Sequence, residues 1–145
     1  MREAGAVAGM SDAGPQRRPL GDPASVVAAY FSAVNDRRFD DLAALFHDDA
    51  EVRPVGSRRR VGREDIAAYY PPLLAGFSAS RDDPQEVHVA GEVVTVEIAF
   101  TGTTVGGREV AFDAVDVFRI RSGRIASLRI MYDILDVIRQ TRDED

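Results

Sequence analysis

The sequence predicts an α+β fold, a cone-shaped α+β barrel in which three N-terminal helices pack inside one curled antiparallel or mixed sheet. Two patterns carry this prediction. Apolar residues recur at helical spacing in the first half of the chain, and they alternate with period two from residue 85 onward. Helices followed by an antiparallel meander indicate a sheet that covers the helices, and the mouth of such a cone can hold one small molecule.

The chain is long enough for one domain of ordinary size. It has 145 residues, and 45% of them are hydrophobic. Residues 1–21 are rich in Gly, Ala and Pro without any periodicity, so we expect a flexible N-terminal tail. We therefore predict a single domain over residues 22–140 and a short C-terminal tail at 141–145.

The composition argues against several classes of function. The net charge is −6 and all 18 basic residues are Arg, which argues against a general nucleic-acid surface. The chain has no Cys and only His47 and His88, so we expect no metal site and no cofactor. No apolar run approaches the ~20 residues of a membrane span, and the N-terminus lacks the apolar region of a signal peptide. We expect a cytoplasmic protein that contacts neither membrane nor nucleic acid.

Three helices are predicted in the first half. Asp22 and Pro23 supply an N-cap and a proline at the first helical position. The apolar stripe that follows is Val26, Val27, Tyr30, Phe31 and Val34. A second helix is predicted over residues 39–46 and a third over 63–74, where Pro71 and Pro72 should kink or end it.

Five strands are predicted, bounded by Gly-containing turns. They cover residues 50–55, 87–90, 93–101, 108–120 and 124–133. Ser122 and Gly123 form the turn between the last two, and the stretch 112–133 places carboxylates within an apolar ladder. Phe112, Asp116 and Phe118 share one strand face, so Asp116 lies in an aromatic row. A carboxyl group there either stays protonated with a raised pKa or finds a strong partner.

Two runs carry a family resemblance over residues 25–132. They are VVAAYFSAVNDRRFDDLAALFHDDAEVRPVGSRRRVGREDIAAYY and DAVDVFRIRSGRIASLRIMYD. The chain resembles ketosteroid isomerase and the SnoaL-type polyketide cyclases, within the nuclear transport factor 2-like superfamily. The resemblance implies an oxyanion hole made of Tyr30 and a protonated Asp116, with Tyr70 as a further hydrogen-bonding tyrosine. From the helix alone, Tyr30 also fits a core aromatic whose hydroxyl is satisfied.

The chain departs from the isomerase at one position. The isomerase's general-base Asp would lie in the segment EVRPVGS, where this sequence has Arg53, so a true steroid isomerase is not expected. Arg53 either holds an anionic group at the cavity mouth or is solvated. The segment MYDILDVIRQ resembles the SnoaL-type cyclases, whose acid or base matches Asp133. Asp133 alternatively caps a C-terminal turn beginning at Ile134.

The leading hypothesis is a cofactor-free isomerase or cyclase acting on a hydrophobic carbonyl compound or polyene, such as a polyketide undergoing ring closure. Tyr30, Asp116 and Asp133 would be catalytic. The substrate would contact Tyr70, Arg53, Phe100, Phe112, Phe118, Leu128, Ile130 and Tyr132. Two alternatives remain, namely epoxide opening by Asp116 and Asp133, and a non-catalytic ligand-binding or dimerisation module. The open sheet face also predicts a homodimer.

Overall fold

The structure is a computed structural model, and it describes residues 21–142. Within that range the helices are α1 (Pro23–Asn35), α2 (Phe39–Ala44), α3 (Arg63–Ala75) and α4 (Ile134–Thr141). The strands are β1 (Phe46–Pro54), β2 (Arg60–Val61), β3 (Phe77–Ala90), β4 (Val93–Thr104), β5 (Glu109–Arg121) and β6 (Arg124–Tyr132). The tail predicted at 1–21 lies outside the described residues apart from Gly21, and so do residues 143–145.

The strands described in residues 21–142 form one sheet in the order β2-β1-β6-β5-β4-β3. Neighbouring strands are antiparallel except β1 and β6, which run parallel. The sheet is curled but not closed, and the helices pack against it. The predicted α+β class with a mixed sheet is therefore confirmed.

Helix α1 begins as the sequence predicts. The Asp22 side chain accepts a hydrogen bond from the Ser25 backbone N–H at 3.3 Å, and Pro23 occupies the first helical turn. The predicted apolar stripe is buried, with Tyr30 only 2% exposed. This stripe turns α1 toward the inner face of the sheet, where it contacts β3 and β4.

The second and third helices differ from their predicted lengths. Helix α2 ends at Ala44, because Phe46 is fully buried as the first residue of β1 and the Leu45 carbonyl accepts a hydrogen bond from the Ile125 N–H. Helix α3 continues through Pro71 and Pro72 to Ala75. Burial of Leu74, beyond both prolines, contributes packing energy that keeps the last turn helical despite the missing donors.

The turn between β5 and β6 lies at the predicted position. Ser122 has a φ of 51° and Gly123 a φ of 78°. A two-residue hairpin of type I′ requires positive φ at both positions, and its twist matches that of the strands. The register of β5 and β6 shifts by one residue between Arg119 and Ile120, and beyond that shift Asp116 lies opposite Ile130.

Strand β3 begins ten residues earlier than the predicted start at residue 87. Its first half contains Asp82, Asp83 and Pro84, which are poor strand formers. They are tolerated because β3 is the edge strand, where Pro removes no ladder hydrogen bond on the solvent side. The short strand β2 was not predicted either.

Among the helices of residues 21–142, none has both the length and the apolar character needed to cross a membrane. Exposed apolar side chains do occur on the inner face of β3, where Val87 and Val89 pair with Val96 and Val94 of β4 and are about half exposed. The expected homodimer stays a prediction.

We predict that replacing Leu128 by Ala lowers the free energy of unfolding by about 2–5 kcal/mol, because the side chain is fully buried in the core. Leu135 supplies a matched control, since the same change at a side chain 64% exposed should alter stability by no more than about 0.5 kcal/mol. Urea unfolding followed by circular dichroism measures both. Equal losses in the two variants would contradict this packing.

Candidate active site

A cavity of about 140 Å³ lies between helices α1 and α3 and the inner face of strands β3 to β6. Most of its lining is apolar, and its polar groups are tyrosine hydroxyls and carboxyl groups. Helix α1 contributes Tyr30, α3 contributes Tyr70, β3 contributes Asp82 and β5 contributes Asp116. A few polar groups converging in an apolar concave site are typical of small-molecule binding.

The hydroxyl groups of Tyr30 and Tyr70 are hydrogen-bonded to each other at 2.9 Å. Both side chains are buried, and burial is the main reason that the pKa of each lies well above its ordinary value. Both phenols are therefore neutral at physiological pH. One O–H is used in the bond between them, so the pair has a second O–H to donate into the cavity.

Among residues 21–142, Asp116 is the one buried residue with an acidic or basic side chain, and 4% of its surface is exposed. It lies at the centre of the sheet, opposite Val96 on β4 and Ile130 on β6. Its Oδ1 atom has no hydrogen-bond partner within the described residues. Burial, assisted by the nearby Asp82, raises the pKa of the Asp116 carboxyl well above its ordinary value. This shift favours the protonated form of Asp116, which can donate a hydrogen bond.

A row of aromatic rings crosses the sheet beside these groups. Phe77 packs edge-on against Phe100 at 5.3 Å between ring centroids, and Phe100 stacks on Phe112 at 4.6 Å. Phe112 then contacts Tyr132 at 5.3 Å. Together with Ile130, the row forms the apolar wall of the cavity. Contact of Phe100, Phe112, Ile130 and Tyr132 with a substrate stays a prediction.

Asp82 is a cavity residue that the sequence analysis did not identify. It shares the inner face of the sheet with Phe100, its partner on β4. Burial raises the pKa of the Asp82 carboxyl to about 6. The signal that could have found it is weak, because the inward row of β3 at this point is Asp82 and Pro84 and contains no apolar alternation.

The domain model that matches this chain is the SnoaL-like domain, over residues 27–128. The match covers more than half of the sequence. The chain belongs to the SnoaL-like domain family. The predicted resemblance is thereby confirmed.

Solved structures share the fold of this SnoaL-like domain. A putative SnoaL-like polyketide cyclase from Jannaschia sp. CCS1 aligns with a TM-score of 0.79 and 21% identity, over 91% of this chain and 100% of that chain. An NTF2-like protein of unknown function from Burkholderia pseudomallei K96243 gives 0.78 and 20%, over 83% and 98%. An LEH-like epoxide hydrolase from M. tuberculosis gives 0.70 and 23%, over 82% and 88%. These likenesses confirm the predicted nuclear transport factor 2-like fold.

Two predicted site residues lie outside the cavity of the SnoaL-like domain. Asp133 is exposed, and its side chain accepts a hydrogen bond from the Asp136 N–H at 3.1 Å as the N-cap of α4. Arg53 is exposed on the outer face of β1, because its neighbours Val52 and Pro54 point inward. The alternatives of a helix cap for Asp133 and a solvated side chain for Arg53 therefore describe their positions, and we assign neither residue to the site.

Phe118 and Leu128 were predicted to touch the substrate, but they belong to the core beside the cavity. Both are fully buried, and neither lines the cavity. Phe118 instead packs against the edge of the Tyr30 ring at 5.0 Å between centroids. Its role is to hold Tyr30, a contact that strand alternation alone does not distinguish from lining a cavity.

Glu86, His88 and Glu97 form a group of possible metal ligands on the SnoaL-like domain. Their ligand atoms lie within 4.8 Å of one another, and all three residues are exposed. The His88 Nε2 is 3.0 Å from a Glu97 carboxylate oxygen. A surface ion pair between a protonated His88 and Glu97 therefore accounts for the closeness of these side chains without a metal. The three residues lie on the outer face of β3 and β4, apart from the cavity.

We predict that Asp116→Asn removes a pH dependence from the stability of the protein. The unfolded carboxyl titrates near pH 4 whereas the buried one holds its proton at higher pH, so wild-type stability falls as pH rises, by up to about 1.4 kcal/mol per pH unit. Asn cannot ionise, so the free energy of unfolding of the variant should rise relative to that of the wild type between pH 6.5 and pH 8.5.

Urea unfolding of both proteins at each pH measures this difference. The comparison starts above pH 6 because Asp82 also titrates near that value. Parallel stability curves for the two proteins would show that Asp116 is already ionised in the folded state.

Proposed function

We propose that this SnoaL-like domain is a cofactor-independent isomerase or cyclase that acts on a hydrophobic carbonyl- or polyene-containing small molecule. Ring closure of a polyketide is the step that we favour. The observation that carries the proposal is the Oδ1 atom of Asp116, which is buried without a hydrogen-bond partner in residues 21–142 and lies in an apolar cavity. Buried polar groups without partners are rare and call for a functional explanation.

The chemistry follows from the protonation states around the cavity. A neutral Asp116 donates one hydrogen bond, and the Tyr30–Tyr70 pair donates another. When a base removes a proton beside a substrate carbonyl, negative charge develops on the carbonyl oxygen. Donors that are already oriented in an apolar site stabilise this enolate, typically by several kcal/mol. An ionised Asp116 would repel the same charge, so its raised pKa is essential.

The size and lining of the cavity favour a small apolar substrate. A volume of about 140 Å³ is close to that of an apolar protein cavity, about 150 Å³, that binds benzene. The reacting part of the substrate would therefore be about one ring in size. Phe100, Phe112 and Tyr132 would contact its faces, and holding a flexible chain in a ring-like shape brings its reacting atoms together.

The family supports a cyclase as the more specific assignment. The Jannaschia relative is described as a putative SnoaL-like polyketide cyclase, and its fold aligns over nearly the whole of this chain. The reaction class itself rests on the Asp116 site, because structures of this identity establish only the shared fold.

Epoxide opening is the second candidate, and one observation favours it. That chemistry needs one carboxyl group to protonate the epoxide oxygen and a second, ionised one to activate the nucleophile. Asp133 lies outside the cavity, but Asp82 places a second carboxyl group within it. The relative described as an LEH-like epoxide hydrolase shares the fold. A small cyclic epoxide should therefore be tested as a substrate together with the ketones named in the next prediction.

We predict that Asp116→Asn lowers the rate of the carbonyl reaction by about 10²–10³-fold, because a strong donor to the developing oxyanion is weakened. Suitable probes are a cyclic β,γ-unsaturated ketone, whose conjugation is followed by ultraviolet absorbance, and a 1,5-diketone that closes to a cyclic hydroxyketone and then loses water to give a cyclohexenone. Asp113→Asn is the matched control, because Asp113 is exposed on the opposite face of the same strand. Its rate should equal that of the wild type.

Two results would contradict the enzymatic proposal. One is an unchanged rate in the Asp116→Asn variant. The other is a wild-type protein that binds the ketones, as measured by calorimetry, but converts none of the substrates in the panel. The second result would identify the domain as a ligand-binding module.

A further inference from the structure

The proposed reaction needs a group that accepts a proton from carbon. Asp116 and the paired tyrosines are donors, because burial keeps all three neutral. Asp133 is exposed and caps α4, and Arg53 is outside the cavity. Among the described residues that line the cavity, Asp82 is the one remaining carboxyl group.

The sheet register brings Asp82 to the substrate side of the cavity. Asp82 lies opposite Phe100 on β4, and Phe100 lies opposite Phe112 on β5. Residues directly opposite one another in antiparallel strands point to the same face. The Asp82 side chain therefore extends beside the stacked rings that would contact the substrate, on the face that also carries Asp116.

Asn35 holds the backbone of Asp82 in place. The Asn35 Oδ1 accepts a hydrogen bond from the Asp82 N–H, and the Asn35 Nδ2 donates one to the Asp82 carbonyl, both at 2.8 Å. Strand β3 is the sheet edge, so these two backbone groups have no strand partner on that side. The Asn35 amide takes the place of a neighbouring strand and ties Asp82 to the end of α1, the helix that carries Tyr30.

A second contact fixes the same segment. The Arg37 guanidinium donates hydrogen bonds to the Phe77 carbonyl and to the Ser80 Oγ, each at 3.1 Å. The carboxyl group of Asp82 is therefore carried by an edge strand that is attached at two points to the chain leaving α1. Such attachment provides the positional accuracy that proton transfer to carbon requires.

We propose that Asp82 is the general base of this site and that Asn35 is its positioning residue. The inference rests on the proposed carbonyl chemistry. The Asp82 carboxylate takes the proton from a carbon beside the substrate carbonyl, and the electron pair of the C–H bond forms the enolate, which Asp116 stabilises. In isomerisation the protonated Asp82 returns this proton to another carbon. In ring closure the enolate carbon attacks a second carbonyl carbon, and the proton goes to the new alkoxide.

The protonation states suit this division of roles. Burial raises the pKa of Asp82 to about 6, so most of the carboxylate is ionised at pH 7, whereas Asp116 keeps its proton. Two carboxyl groups with separated pKa values are a recurrent acid–base arrangement. The other titratable side chains that line the cavity are Tyr30, Tyr69, Tyr70 and Tyr132. They are neutral near pH 7, so they add no charge beside Asp82. The adjacent Arg81 is exposed, and the Arg37 guanidinium, which contacts the same strand, donates its bonds to Phe77 and Ser80.

The test measures proton removal alone. Wild-type protein is incubated with cyclohexanone in D₂O, and deuterium entry beside the carbonyl is followed by NMR. Asp82→Asn should lower the exchange rate by about 10²–10⁴-fold and abolish the acidic limb, near pH 6, of the kcat/KM profile. Asp83→Asn is the matched control, because Asp83 is the exposed neighbour on the same strand, and it should leave rate and profile unchanged.

Asn35→Ala tests the positioning role. It should lower kcat more than it changes KM, while the acidic limb persists because the base is still present. If Asp82→Asn fails to fold, as judged by circular dichroism, Asp82→Ala supplied with formate replaces it. Restoration of exchange by formate supports a base at this position, and absence of restoration overturns it.

The outcomes separate the two proposals. If the wild type exchanges deuterium and Asp116→Asn is impaired but Asp82→Asn is not, the assignment of Asp82 is overturned while the proposed function stands. If the wild type promotes neither exchange nor any reaction of the substrate panel, the proposed function fails and the assignment of Asp82 fails with it.

Discussion

Asp116 places a carboxyl group where water hardly reaches it and where no donor within residues 21–142 meets its Oδ1. An unsatisfied polar atom of this kind costs about 1–3 kcal/mol, and an ionised carboxylate would cost far more. The group is tolerated because it keeps its proton, and the surrounding core compensates for the loss. Fully buried Phe118 and Leu128 belong to that core, next to Asp116 and Ile130 on the same face of the sheet but without lining the cavity.

The cavity exists because small and large side chains alternate along its walls. On β5 the inward row is Phe112, Ala114 and Asp116, so the small Ala114 leaves space between an aromatic ring and the acid. The tyrosines of α1 and α3 cover this space from the helical side. The resulting site is mostly apolar, an environment that raises the pKa of the Asp116 carboxyl.

Amide side chains complete the sheet at two places where a neighbouring strand is missing. Asn35 pairs with the backbone of Asp82 on the outer edge of β3. Gln140 on α4 does the same for Ala111, whose strand β5 extends past the end of β6, with hydrogen bonds of 2.8 and 3.0 Å. Unpaired strand edges invite association with other chains, so satisfying them locally protects the fold. At β3 the same device also fixes a carboxyl group of the cavity.

The sequence alone determined the α+β class, α1 with its cap, the turn at Ser122 and Gly123, and the inward face of β5 that carries Asp116. Each depends on local chemistry, because a cap, a hairpin turn and alternation along a strand are encoded within a few neighbouring residues. The bond between Tyr30 and Tyr70 depends on how two helices pack. Periodicity places both side chains inward but does not bring them together.

Only the tertiary structure decided which carboxyl groups share the cavity. Asp133 comes directly after β6 and caps α4, and Arg53 occupies an outward position of β1. Asp82 lies in a polar, proline-containing segment that becomes a strand only because β4 and Asn35 pair with it. Whether a side chain reaches a cavity depends on strand pairing and on where strands end, and these are set by contacts between residues far apart in the chain.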